Sequence, residues 1–153
     1  MKPLSSEIMR FFLNQGAVIV STLDKEGGIH NACKGIIKID PAGKLFLLDL
    51  YHGTTYHNLK ADPHISITAI DEHTFKGYCL QGKAQVNVSA QISEELIMAW
   101  EATITARLAQ RILRNVGGLK GHPRHPEALL PIPKYLIAVD VERVIDLTPQ
   151  HIQ

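Results

Sequence analysis

Apolar residues along this chain recur in two rhythms. From Ala17 to Leu23 (Ala-Val-Ile-Val-Ser-Thr-Leu) they run almost unbroken and are rich in β-branched side chains, the texture of a mostly buried strand. Asp24 to Gly28 reads as a turn. Ile29 to Ile39 then predicts a second strand, Asp40-Pro41-Ala42-Gly43 a second hairpin turn, and Lys44 to Tyr51 a third strand. Three strands joined by short turns make an antiparallel meander. Strands are also predicted over His64 to Ile70 and, after a polar connection from Asp71 to Lys76, over Gly77 to Val88. Gly82 inside the latter points to a bulge or a close backbone approach. Lys134 to Leu147 closes the series with a long strand whose second half alternates apolar and polar residues.

The second rhythm is helical. Ile8, Phe11 and Phe12 share one face of a short helix that Ser5 or Ser6 can cap, with Gly16 as a left-handed exit. About two turns are expected from Tyr56 to Ala61, with Thr54 as N-cap and Asp62-Pro63 as the stop. Ser93 to Asn115 is the longest periodic segment. Leu96, Trp100, Ile104, Leu108 and Ile112 recur every four residues with Ile97 beside them, Glu94 and Glu95 open it, and Arg111 and Arg114 close it before Gly117-Gly118. Leu119 to Pro133, rich in Pro, Gly and His, reads as loop. The sum is a mainly β domain: six antiparallel strands, a short helix after the third and a longer one before the last. A small antiparallel barrel pairs such strands without leaving long open edges.

Composition narrows the functional classes. The 153 residues carry 16 basic and 15 acidic side chains, a formal charge of +1, with no long basic run. That gives no electrostatic footprint for a nucleic-acid binder or a polybasic membrane anchor. No apolar stretch approaches the ~20 residues that span a bilayer, and the N-terminal residues lack the apolar core of a signal peptide. Cys33 and Cys79 offer no disulfide framework, so a reducing cytoplasm is the expected setting for this single domain, residues 1–153.

The candidate chemistry is sparse. The eight histidines include His52 and His57, and His122 and His125 in an H-x-x-H spacing, but no H-E-x-x-H helix, so surface histidine is expected rather than a metal centre. No C-x-x-C, G-x-S-x-G, Walker A or G-x-G-x-x-G pattern exists. His52-Gly53-Thr54-Thr55 carries more. Two adjacent hydroxyls at the mouth of a short helix place donors beside unpaired amide protons, where the helix dipole favours an anion such as phosphate. The plainer reading is that Thr54 caps the helix and Thr55 is solvated. Lys34 sits within an apolar strand at Cys33-Lys34-Gly35, where it either snorkels at a barrel rim or presents a charge beside bare backbone. Asn58 is a solvent-facing side chain or a local cap, and Trp100 belongs to the core.

In order along the chain, Gly16-Ala17-Val18-Ile19-Val20-Ser21-Thr22, Gly27-Gly28-Ile29-His30-Asn31, a lysine in the second strand, Gly53-Thr54-Thr55-Tyr56-His57-Asn58-Leu59-Lys60-Ala61-Asp62-Pro63-His64-Ile65 and Gly77-Tyr78-Cys79-Leu80-Gln81-Gly82-Lys83-Ala84 resemble the flavin-binding split-barrel superfamily of pyridoxamine 5'-phosphate oxidase-like proteins. The resemblance covers residues 7 to 90, and the final strand fits the same plan. It implies a six-stranded split barrel that forms a homodimer with FMN in a groove at the subunit interface. It places Thr54, Thr55 and Asn58 on the phosphate side. Lys34, Gly35 and Ile36 fall beside the isoalloxazine ring, Leu50 and Tyr51 at the end of the third strand, and Gln81 and Gly82 on the partner's side of the flavin. One departure stands out. Many members carry lysine or arginine at the position of Thr55, though others carry threonine. The lost cation, a charged contact worth ~1.5–3 kcal/mol, would have to be replaced by Lys34, Lys38 or a partner residue.

The implied activity is electron or hydride transfer between a reduced nicotinamide or another donor and a small acceptor, with the flavin carrying the chemistry and no catalytic side chain named. The alternatives are a non-catalytic FMN carrier or redox sensor, a haem- or deazaflavin-binding split barrel, and an empty barrel serving as an interaction module.

Overall fold

Among the described residues, 1–88, 92–122 and 132–152, the computed structural model forms three α-helices and seven strands. In chain order these are α1 (Ser6–Leu13), β1 (Val18–Leu23), β2 (Ile29–Lys34), β3 (Ile36–Asp40), β4 (Lys44–Asp49), α2 (Thr54–Ala61), β5 (His64–Asp71), β6 (Lys76–Val88), α3 (Glu94–Val116) and β7 (Tyr135–Asp146). A short 3-10 turn follows at Gln150–Ile152. His125, with its neighbours Pro123 and Pro126, lies outside the described residues, as does most of the Leu119 to Pro133 segment.

The segment expected as one strand from Ile29 to Ile39 is two, and the break has a topological cause. All seven strands belong to one antiparallel sheet in the order β2-β1-β5-β6-β7-β4-β3. Its two edge strands, β2 and β3, are consecutive in the chain, with Gly35 alone between them. Lys34 and Ile36 can be no more than about 7 Å apart, because two residues of extended chain reach no further. The sheet therefore curls until its edges meet at Gly35, while the strands on either side stay paired to β1 and to β4. The result is a half-barrel, closed at one point and split along the rest.

Residues alternating inward fill it: Val18 and Val20 from β1, Leu45 and Leu47 from β4, Ile65 and Ile67 from β5, Leu80 from β6, and Tyr135, Ile137, Val139 and Val141 from β7. Phe12 of α1 is fully buried among them. Ser5 caps α1 by accepting from the Ile8 amide at 3.3 Å. The exit of α1 differs from expectation. Asn14, still right-handed, gives its amide to the Arg10 carbonyl, Gln15 gives its own to Phe12, and the left-handed glycines are Gly27, Gly43 and Gly118. A helix ending on an asparagine whose amide is already bonded has no need of a left-handed turn.

The long helix covers the outside of the sheet. Leu96, Trp100 and Ile104 pack on Leu48 and Leu136, with Ile37, Phe46 and Leu50 at the margin. Glu95 meets Lys38 at 2.5 Å near the end of β3, and Arg107 lies against Gly35 just before β3 begins, so α3 runs antiparallel to β3. The 23-residue helix is about 35 Å long, longer than the five-residue strand it crosses. Its last turns pass beyond the seam, which is why Ile112, expected on the buried stripe, is 61% exposed.

Candidate functional site

Lys34, Gly35 and Ile36 lie at the seam where the barrel closes. Lys34 ends β2 on one side, and Asp49 ends β4 on the other. Asp49 stands opposite Tyr135 in the β4–β7 ladder, which brings three polar groups from distant parts of the chain to one place. The Lys34 ammonium donates to Asp49 Oδ2, and the Tyr135 hydroxyl donates to the same oxygen at 2.5 Å. The other carboxylate oxygen accepts the Leu50 amide at 2.8 Å. Lys34 and Asp49 side chains are only 9% and 14% exposed. Lys34 therefore does not snorkel at a rim. It is a mostly buried cation matched by a mostly buried carboxylate, and the pair stitches the split. Burial and the hydrogen bond to Asp49 push the Tyr135 phenol far above its ordinary value, so it stays a donor.

Sequence reasoning passed over Asp49 and Tyr135. A signal for the first existed: Asp49 is the lone acid in Leu-Phe-Leu-Leu-Asp-Leu, as Lys34 is the lone base in its own apolar run. Two opposite charges, each isolated in a buried strand, need one another.

The strand-to-helix step lies beyond. The third predicted strand stops at Asp49, leaving half-buried Leu50 and exposed Tyr51 in the connection. Gly53, and not Thr54, caps α2, and among the described residues the helix has no side-chain cap hydrogen bond. Thr54 is exposed, but Thr55 is 3% and Asn58 6% exposed. Asn58 donates through Nδ2 to Thr22 Oγ1 of β1 at 3.0 Å. Both residues therefore face the barrel, and Asn58 docks α2 onto the sheet. Aromatic rings join this step to the seam. Tyr56 of α2 sits 4.9 Å from Tyr135 and 4.5 Å from His52, centroid to centroid.

Gln81 and Gly82 belong to a separate feature, a groove of about 350 Å³ on the outer face of the sheet. Across four neighbouring strands Ser21 pairs with Ser66, Ser66 with Gln81, and Gln81 with Arg143, a polar row perpendicular to the strands. The row lies along the groove, with His64, Ile29 and Glu142 at its sides. The ladder between β6 and β7 shifts register between Gln81 and Gly82, the bulge that the glycine announced. Any side chain at Gly82 would overlap the Asp140 carbonyl, a backbone atom that cannot step aside. Ser21, Ser66 and Arg143 were not singled out from sequence, because nothing local marks four residues on four strands as one row.

Gly35 is bare for a different reason. Its φ is not left-handed, but a Cβ there would lie 2.7 Å from Nη1 and 3.3 Å from Nη2 of Arg107, a half-buried side chain from α3. Neither lysine expected to replace the missing cation is unengaged: Lys34 holds Asp49, and Lys38 holds Glu95 at 2.5 Å. Cys33 is exposed, and Cys79 is buried with its sulfur 3.0 Å from Ser66 Oγ. Among the described residues no group of three or more His, Cys, Asp or Glu is arranged to hold a metal ion. No helix there is long and apolar enough to cross a membrane.

Comparison with known proteins locates this architecture. The family model for pyridoxamine 5'-phosphate oxidase matches residues 4–146. No curated protein matches the sequence. Among solved structures, HupZ of Group A Streptococcus is similar at 18% identity, covering 95% of this chain and 95% of its own, with a TM-score of 0.63. A Clostridium acetobutylicum protein of the pyridoxinephosphate oxidase family, related to general stress protein 26 of B. subtilis, is 15% identical over 96% of this chain and 95% of that one, with a TM-score of 0.58. HutZ, the haem storage protein of Vibrio cholerae, is 20% identical over 95% and 94% of the two chains, with a TM-score of 0.55. At these identities the structures share the fold with this chain.

Proposed function

Because the chain belongs to the pyridoxamine 5'-phosphate oxidase family, we propose that it is a single-domain cytoplasmic flavoprotein that binds FMN without a covalent bond. In this reading it forms a homodimer with the flavin at the subunit interface. The observation that carries the reading is the seam. The stretch expected beside the ring, Lys34 to Ile36, coincides with the one point where the barrel closes. There the backbone at Gly35 lacks a side chain, and the Arg107 guanidinium lies directly against it. A flat ring and an anionic group suit such a place. The groove at Gln81 and Gly82 supplies an open polar row of the kind a partner subunit would bring to the other face.

FMN when bound supplies the redox chemistry, taking electrons or hydride from a reduced nicotinamide or another donor and passing them to a small acceptor. The chain's own residues bind and orient. Asp49 cancels the Lys34 charge and, with Tyr135, fixes the position of the seam. Ile36 and Leu50 exclude water from its flanks. Exposed Thr54 offers a hydroxyl to a phosphate beside the first-turn amides of α2. Buried Thr55 and Asn58 hold that helix end in place.

The test is the absorption spectrum of the purified protein, followed by identification of what heat releases. A two-banded yellow spectrum with FMN in the supernatant, on a particle of twice the 17.0 kDa chain mass, is expected. A sharp Soret band would replace flavin by haem. A colourless protein that takes up no added FMN would leave the seam a structural closure only. NADH or NADPH oxidation no faster than with free FMN would make the holoprotein a carrier or sensor instead of an oxidoreductase.

A further inference from the structure

We propose that a bulge in β7 builds a binding site for a small amphoteric molecule, one that carries an ammonium and a carboxylate close together, as an amino acid does. In the β6–β7 ladder Gln81 stands opposite Arg143 and Gly82 opposite Val141, so Glu142 is an extra residue with no counterpart on β6. An extra residue interrupts the alternation of a strand, and two side chains that would point to opposite faces can then share one. Glu142 and Arg143 do so: both are exposed, and both line the groove. Gly82 keeps the bulge in place, because the Asp140 carbonyl approaches too closely for any Cβ. The chain thus holds a glycine inside its longest strand, where it weakens packing, at the spot that turns two opposite charges to one face.

Neither charge is neutralised within the fold. Among the described residues no carboxylate lies within ion-pair distance of Arg143 and no cation within ion-pair distance of Glu142, although the two are neighbours in the chain. The other titratable group at the groove, His64, meets Asp62 Oδ1 at 2.6 Å. From Arg143 the row of Gln81, Ser66 and Ser21 continues across the sheet for about 14 Å, three strand spacings. Leu23 and Ile29 give the groove an apolar wall, and its volume of about 350 Å³ is that of a small-molecule site. A carboxylate fits the guanidinium fork and an ammonium fits Glu142. A molecule with one charge alone would leave the other side chain unmatched, so the pair selects a ligand that has both. The site is made by this chain's own residues. The role of its ligand rests on the FMN reading above: if the partner brings this groove to the flavin, the ligand is the small molecule that exchanges electrons with the ring.

The experiment titrates the purified protein by calorimetry with L-phenylalanine, with phenylpropionate, which lacks the ammonium, and with phenethylamine, which lacks the carboxylate. Wild type is expected to bind L-phenylalanine at about 1 mM or tighter, and each single-charge analogue at least tenfold more weakly. E142Q should lose the preference over phenylpropionate and keep that over phenethylamine, and R143Q should do the reverse. Melting temperatures check that both variants are folded. Movement of the Gln81, Glu142 and Arg143 amide resonances on titration would place the probe in the groove. Variants that discriminate as wild type does would overturn the proposal. So would wild type that binds none of the three probes at ten times the expected concentration, which is also the result if a partner subunit seals the groove. The flavin content of the same samples separates the two readings. Wild type that holds FMN and ignores every probe ends this proposal and leaves the FMN reading standing. Wild type that holds no flavin and still shows the charge-dependent preference keeps the site and ends the FMN reading.

Discussion

Two polar clusters in this molecule do opposite things with their side chains. At the seam, Tyr135 is fully buried, the Lys34 and Asp49 side chains are mostly so, and the three are bonded to one another. In the groove, Ser21, Ser66, Gln81 and Arg143 lie in a row across four strands and remain partly or fully exposed. The seam satisfies its own groups because burial would otherwise leave a charge and a hydroxyl without water, at a cost of several kcal/mol. The groove has water to fall back on and can present its groups to something else. A charged residue in a motif is thus no evidence of an available charge until its surroundings are known.

The contrast can be broken most severely at Asp49. Asp49→Ala removes the acceptor for both Lys34 and Tyr135 at once and strands a cation that is 9% exposed. We expect a loss of about 3–5 kcal/mol in urea-induced unfolding, with an unchanged m-value. A loss below about 1 kcal/mol would mean that Lys34 escapes to solvent, and the seam would then be no more self-contained than the groove.

Asn58→Ala probes the α2 side of the seam. It deletes a buried amide and leaves Thr22 Oγ1 without its donor, which should cost about 1–3 kcal/mol. Thr22→Val removes the other partner, and a double-mutant cycle should return a coupling near 1 kcal/mol. Additive losses would show that Asn58 does not dock the helix and is held in reserve for a ligand.

Tyr135→Phe is milder, about 1 kcal/mol at neutral pH, since Asp49 keeps Lys34 and the Leu50 amide. Its signature is in the pH dependence. Burial first, and Asp49 second, raise the Tyr135 pKa in the folded chain above its unfolded value of about 10. The folded state thus binds this proton more tightly. The contribution is complete below pH ~10 and is lost as pH rises beyond it, because unfolding then releases a proton. Absorbance near 295 nm should show Tyr135→Phe and wild type gaining the same native-state signal on alkaline titration, with wild type ahead only after unfolding. A larger native-state gain in wild type would place the phenol in contact with solvent.

How far the sequence discloses these features follows from chain separation. Helix α3, the Asp24 to Gly28 turn and the Gly82 bulge depend on neighbours within a few residues, and pattern reading locates them. The split of Ile29–Ile39 does not, because no local signal distinguishes a strand that bends at Gly35 from one that leaves for the far edge of the sheet. Lys34 is separated from Asp49 by 15 residues, and Asp49 from Tyr135 by 86. Lys34 was legible as an anomaly and its neutralisation was not. Arg107 stands on a helix read only for its apolar stripe, so its arrival at Gly35 had no trace in spacing. The glycine itself was the visible half of that contact.

The smallest stability effect belongs to the groove, and there it is the more informative one. Gln81→Ala and Arg143→Ala each remove a side chain with access to water, so unfolding should shift by no more than about 0.5 kcal/mol. If the row serves a bound flavin, the same variants should weaken FMN by roughly fivefold for each hydrogen bond lost, the equivalent of about 1 kcal/mol. Stability and affinity then separate in the groove, whereas at Asp49 they should fall together, because distortion of the seam also moves the Lys34 to Ile36 stretch proposed to lie beside the ring. Unchanged FMN affinity in both groove variants would take the row out of the cofactor site and confine that site to the seam. A stability loss as large as that of Asp49→Ala would mean that the exposed side chains are covered in solution. The groove would then be a buried interface, and its polar groups would be as fully committed as those of the seam.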